Sequence, residues 1–160
     1  MNMIKTRQTC RVCGGSLRDI FDLGSFPIIG YDDSMHREIP LCLTRCDSSN
    51  NENSCGLVQL RHSVPPYLLY EQYFYLSGIN ESMVEHLHKV ADKSIEISGI
   101  SKDGTIIDIG CNDGSSLEYY KSLGFKNLVG FDPARNIPQV KDKDITIIRD
   151  YFKSVDGLKA

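Results

Sequence analysis

Three stretches of this chain end in a carboxylate at a place where a strand would stop. Ile106-Ile107-Asp108-Ile109 runs into the glycine-bracketed turn Gly110-Cys111-Asn112-Asp113-Gly114, Leu128-Val129-Gly130-Phe131 runs into Asp132, and Ile145 to Arg149 runs into Asp150, with Tyr151 and Phe152 behind it. Acids at the tips of neighbouring parallel strands suit ribose hydroxyls and cationic groups, because such strands deliver their C-terminal ends to one crevice. A second set of residues is suited to metal chemistry. Cys10-Arg11-Val12-Cys13-Gly14-Gly15 is a CxxC followed by glycines, in which a tight turn aims two thiolates at one ion.

The glycines decide which nucleotide-like group suits the first turn. A dinucleotide site uses GxGxxG so that a helix N-terminus meets a pyrophosphate. This chain has Gly110 and Gly114 with Asn112 in the place of the middle glycine, which weakens that reading. S-adenosylmethionine has no phosphate but carries a sulfonium, an ammonium and two ribose hydroxyls. Asp108 is expected near the methionine amino end, with Gly110, Asn112 and Gly114 shaping the turn. Asp132 is expected to accept from the ribose and Asp150 from the adenine amine, with Tyr151 or Phe152 against the ring. Cys111 reads as a small packing residue.

The CxxC needs a partner pair, and Cys46 with Cys55-Gly56 supplies one, although eight residues separate the two cysteines. The polar insert between them costs little, since closure entropy grows slowly with loop length. Cys42 is a rival ligand, and His36 and His62 are further candidates by composition. The alternation of Pro40 to Cys46 puts Cys42 on the same face as Cys46, so Cys42 also reads as a buried small residue beside the site. Reduced thiols in a small core are the alternative for the whole set. Four thiolates around a tetrahedral Zn²⁺ leave no open position, so the site would be structural.

The chain has 160 residues, 41% hydrophobic and 24% charged, with a net charge of −3. That balance fits globular structure and argues against nucleic acid as a partner. No apolar run approaches the roughly 20 residues of a membrane span, and no signal peptide is evident, which points to the cytoplasm and to reduced thiols. The elements follow from pattern. A helix is expected from Asn80 to about Ser98, with Met83, Val84, Leu87, Val90, Ala91 and Ile95 on one stripe and Ser82 and Glu85 as a capping box. His86 and His88 fall on different faces of it and are expected to be solvated. Strands are expected at Leu57–Leu60, Thr105–Ile109, Asn127–Phe131 and Ile145–Arg149, with a helix from Ser115 to Leu123 stopped by Gly124. The domains expected are a zinc-binding module over residues 1–62, an aromatic linker and helix over 63–98, and a partial methyltransferase domain over 99–160. The tyrosine-rich stretch holding Tyr67, Tyr70, Tyr73 and Tyr75 reads as a packed hinge or as a source of phenols near a ligand.

With these motifs in order, the chain resembles the bacterial sugar C-methyltransferases, which act on nucleotide-linked deoxy-keto-sugars. The resemblance rests on Cys10-x-x-Cys13-Gly14-Gly15, Asp22-Leu23-Gly24-x-x-Pro27, Arg45-Cys46, Cys55-Gly56-Leu57-Val58-Gln59-Leu60, and Tyr73-Phe74-Tyr75-x-Ser77-Gly78. It continues through Met83-x-x-His86, Asp108 to Gly114 and Gly130 to Ile137. It implies an α/β protein with a small four-cysteine zinc module followed by the first half of a Rossmann-like, class I adenosylmethionine-dependent domain. It also implies that Tyr73, with Tyr75 beside it, lines the substrate pocket. The resemblance implies a nucleotide-sugar substrate, enolisation of a ketone, and attack of the resulting carbon on the sulfonium methyl. Family members are more than twice as long, and their histidine base lies in later sequence. The expectation is therefore a truncated or split form, inactive alone, with a second polypeptide completing it in the split case. The competing readings are a zinc-knuckle binding module with an α/β scaffold and an NAD-linked enzyme fragment.

Overall fold

The computed structural model describes residues 4–27, 38–47, 49, 54–138, 140 and 142–153. His36 and most of the insert between Cys46 and Cys55 lie outside them. Two compact units divide the chain, Met1–Leu69 and Tyr70–Ala160.

The first unit is antiparallel. Strands β2 (Leu17–Pro27), β3 (Glu38–Cys46) and β4 (Val58–Leu60) form one sheet in that order, and β1 (Lys5–Thr6) pairs with β5 (His62–Ser63). β2 has no counterpart among the strands expected from pattern. It is exposed on both faces after Leu17, so its sequence carries no alternation, and its register with β3 slips between Asp19 and Phe21 and again between Asp22 and Ser25. Gly24 stands at φ +81 inside the second slip, where its amide donates to Asp22 Oδ1 at 2.8 Å. Among the described residues of this unit the buried side chains are Cys10, Cys42, Cys46, Thr44 and Gln59. Among those described residues no aliphatic or aromatic side chain is fully buried, and sulfur takes the place of an apolar core. The four-residue helix α1 (Tyr67–Tyr70) lies at the unit boundary.

The second unit packs two helices on a parallel sheet. Helix α2 (Glu81–Ser98) precedes β6 (Thr105–Ile109), helix α3 (Ser115–Ser122), β7 (Asn127–Phe131) and β8 (Ile145–Ile148), and the strands lie in the order β6-β7-β8. Ile106, Leu128, Ile145 and Ile147 face the helices and pack with Ala91, Leu117, Tyr120 and Phe125. Gly130 sits where an added Cβ would lie 2.6 Å from Cys111 Sγ and 2.8 Å from both Leu117 and Ile147, so glycine lets α3 approach the sheet. The opposite face stays open at Ile109, which is 60% exposed.

The cap of α2 differs from the expected box. Asn80, one residue before the helix, accepts from the amides of Ser82 and Met83, and Ser82 turns its hydroxyl back to the same oxygen. Val90, placed on the apolar stripe, is half exposed. His88 is not simply solvated, because its ring stacks on Tyr119 at 3.8 Å. No helix among the described residues is long and apolar enough to cross a membrane.

Candidate functional site

The knuckle turn is closed by main-chain bonds. Gly14 N donates to Cys10 O at 3.0 Å, Cys10 N donates to Gly15 O at 2.8 Å, and Gly14 takes φ +73. A Cβ on Gly15 would lie 3.2 Å from Cys46 Sγ and 3.4 Å from Cys13 Sγ, so the absence of a side chain opens the space that the sulfurs share. The second pair is set by β3 and the turn before β4, where Cys46 N donates to Leu57 O at 2.8 Å.

The Sγ atoms of Cys10, Cys13, Cys46 and Cys55 all lie within 4.8 Å of one another. Cys10 and Cys55 stand 3.6 Å apart and Cys13 and Cys46 3.3 Å apart. Four sulfurs about 2.3 Å from a tetrahedral Zn²⁺ are separated by about 3.8 Å, so this donor set fits that ion. Main-chain amides of Cys13 and Val12 bring the Cys10 thiol down to about 6. At Cys55 the Leu57 amide acts in the same direction, but the neighbouring sulfurs and burial push the thiol up to about 11. Protons crowded among four sulfurs are what a dication would displace. Cys42 is outside the cluster. It is buried beside Asp19, and burial raises its thiol first, with the charges of Asp19 and Asp22 adding to it. Sequence reasoning did not single out Gln59. Its buried amide donates to Cys10 Sγ at 3.2 Å and accepts from Arg11 N and Nε, orienting the first knuckle from outside the sulfur shell.

In the second unit a cavity of about 320 Å³ opens at the C-terminal ends of the strands. Ile109, Phe131, Pro133 and Phe152 give it apolar walls, and Gly110, Asn112, Asp132, Asp150, Tyr151, Tyr70 and Tyr73 complete it. Phe131 and Phe152 meet edge to face at 5.2 Å. The buried Asp132 carboxylate accepts from Asn112 N at 2.9 Å and from Ala134 N at 2.8 Å, which ties the turn after β6 to the loop after β7. Asp150 accepts from Tyr151 N and from Lys153, and the Lys153 bond leads in holding its carboxyl below the usual value. The Tyr151 hydroxyl is enclosed and has no partner among the described residues.

Of the residues expected to touch a cofactor, Gly110, Asn112, Asp132, Asp150 and Tyr151 come together here, and Tyr73 joins them. Asp108 lies on the helix-covered face of β6, where burial and then the charge of Asp132 raise its pKa. Gly114, at φ +91, precedes α3 and packs on Val140, where a Cβ would come within 2.8 Å. Tyr75 meets the site through its main chain, since its carbonyl accepts from Asn112 Nδ2 at 3.0 Å. Cys111 is buried in the core, and burial pushes its thiol up to about 12, as suits a packing residue.

Over nearly its whole length the chain is similar to a C-methyltransferase. The relative is C-methyltransferase NovU of Streptomyces niveus, 30% identical over 164 aligned positions. The alignment covers 98% of this chain and 37% of that protein, so the chain spans little more than a third of the relative's length. No family model matches the chain.

Proposed function

We propose that this chain is the zinc-binding and adenosylmethionine-binding part of a C-methyltransferase acting on a nucleotide-linked deoxy-keto-sugar. The observation that carries the reading is the cavity beyond β6, β7 and β8. It has apolar walls for a base, carboxylates at two strand tips and an enclosed Tyr151 hydroxyl lacking a partner among the described residues. Such a volume, largely apolar with a few placed polar groups, is what a nucleoside-sized ligand uses. The similarity to a C-methyltransferase supports the same reading.

In this assignment the parallel sheet is the first half of a Rossmann-like class I domain over residues 99–160. Residues 1–62 are the zinc domain, and 63–98 carry the tyrosines. Bound adenosylmethionine supplies an electrophilic methyl group on a sulfonium. Asp132 has lone pairs left after its two main-chain bonds, and these accept from the ribose hydroxyls. Asp150 accepts from the adenine amine between Phe152 and Tyr151. Phenols of Tyr73 and Tyr75 donate to the substrate oxygen on which charge grows as the adjacent carbon loses its proton. The four cysteines hold a structural Zn²⁺ and take no part in the chemistry. A cytoplasmic setting keeps those thiols reduced.

Isothermal titration of zinc-loaded protein tests this. One site for adenosylmethionine and for adenosylhomocysteine is expected, with affinity about tenfold lower in Asp132→Asn, the loss of about one charge-assisted hydrogen bond. Binding of NAD in place of both would overturn it in favour of a dinucleotide enzyme.

A further inference from the structure

The stretch Tyr73 to Gly78 is held in an unusual way. Among the described residues it pairs with no strand, yet side chains from two loops satisfy its main chain. Tyr73 N donates to Asn136 Oδ1 at 2.9 Å, and Asn136 Nδ2 donates back to Tyr73 O at 2.7 Å. Asn112 repeats the pattern, accepting from Ser77 N at 3.0 Å and donating to Tyr75 O at 3.0 Å. Asp113 Oδ2 accepts from Gly78 N at 2.7 Å. Each asparagine amide presents one donor and one acceptor, so it imitates the edge of a neighbouring strand. A Cβ on Gly78 would lie 2.9 Å from Ser115 Oγ and 3.0 Å from Asp113 Oδ2, so the approach depends on glycine. Upstream, Glu71 O accepts from Arg135 N at 3.0 Å, and the Glu71 carboxylate pairs with the Arg135 guanidinium.

The loops that supply the clamp are the ones that build the cavity. Asn112 and Asp113 belong to the turn after β6, and Asn136 to the loop after β7, and Asp132 joins the two loops through Asn112 N. Asn112 is buried, and its amide oxygen and nitrogen each make one bond to the strap.

We propose that Asn112, Asp113 and Asn136 are positioning residues that lock the tyrosine strap to the cofactor cavity, so that filling the cavity and placing Tyr73 and Tyr75 are one event. This rests on the adenosylmethionine reading of the cavity and deepens it: cofactor binds first, and the substrate meets tyrosines that the cofactor has helped to fix. A ligand that rigidifies two loops lowers the ordering cost of a segment bonded to both.

Amide hydrogen exchange by NMR, with and without adenosylhomocysteine, tests the proposal on the zinc-loaded chain. In the wild type the Tyr73, Ser77 and Gly78 amides should be protected and become several-fold slower with ligand. Asn136→Ala should release the Tyr73 amide, and Asn112→Gly the Ser77 amide, each by about tenfold. Glycine is chosen because Asn112 stands at φ 53, which alanine would strain. Adenosylhomocysteine affinity should fall at least fivefold in both. Asn127→Ala serves as the folding control, since it removes an asparagine bond to Asp103 O at the far end of β7, and should change neither readout. Unchanged exchange in both strap variants overturns the clamp. Faster exchange with undiminished affinity overturns the coupling. A wild-type chain that binds no adenosylhomocysteine overturns the reading of the cavity and the coupling with it, while the exchange rates still decide the clamp.

Discussion

Asp132 shows how one carboxylate can be both architecture and recognition, because its two oxygens hold two loops while lining the cavity. Tyr151 is the opposite case, a wall residue whose hydroxyl is enclosed without a partner among the described residues. An unpaired buried polar atom costs stability until something pairs with it. Tyr151→Phe should therefore raise the stability of the free chain by about 1 kcal/mol and weaken adenosylhomocysteine binding, read by denaturant melts beside titrations. Lower stability with unchanged binding would mean that the hydroxyl serves the fold alone. At Gly130 the space is already filled by Cys111, Leu117 and Ile147. Gly130→Ala should cost about 1–3 kcal/mol, measured by the same melts.

At the scale of elements, α2 begins at a side chain that pairing rules did not select. Asn80→Ala should destabilise the second unit by about 1 kcal/mol, whereas Glu85→Ala should leave its thermal midpoint nearly unchanged. The link between α3 and the turn before β8 is electrostatic. Lys121 bonds Asp142 and Asp144, and the Lys121 bond, then the Asp144 amide, hold Asp142 below the ordinary 3.8. A carboxyl lowered in the folded state contributes stability above its unfolded pKa and loses it as pH falls through the folded value. The midpoint should thus decline below about pH 3.8. Asp142→Asn should shrink that acid limb, an effect kept modest by solvent and reduced further by salt. The expected strands Thr105–Ile109 and Asn127–Phe131 coincide with β6 and β7, because parallel strands under helices read as continuous apolar runs bounded by glycine and acid, although of the two only β7 holds fully buried residues. β2 was illegible for the converse reason, since a strand exposed on both faces has no period to read.

For the whole molecule, the two units differ in what stabilises them. The second has an aliphatic and aromatic core, whereas among its described residues the first buries cysteines, a threonine and a glutamine. A small unit whose described part lacks an apolar core depends on its staple. Chelation should therefore unfold Met1–Leu69 while the helical signal from α2 and α3 persists, seen as separate transitions by circular dichroism and calorimetry. A single transition untouched by chelators would refute a metal core. Thiol protons must leave as the ion enters, and Cys55 binds its own up to about 11. Metal affinity should accordingly rise with pH between about 6 and 8, followed by competition with a chromophoric chelator.

What the sequence alone determined is what short-range pattern can encode. It set the helices and parallel strands of the second unit, the glycine turns, and the Cys10–Cys13 knuckle, with Cys46 and Cys55 favoured over Cys42 as its partners. Spacing along the chain suffices there, because period and turn chemistry are local. Only the tertiary structure excluded Cys42 from the sulfur cluster, moved Asp108 to the helix side of the sheet, and turned Asn112 toward the tyrosine strap. Those outcomes depend on which groups far apart in sequence arrive within about 3 Å of each other, a distance set by the packing of the whole unit rather than by any residue's neighbours.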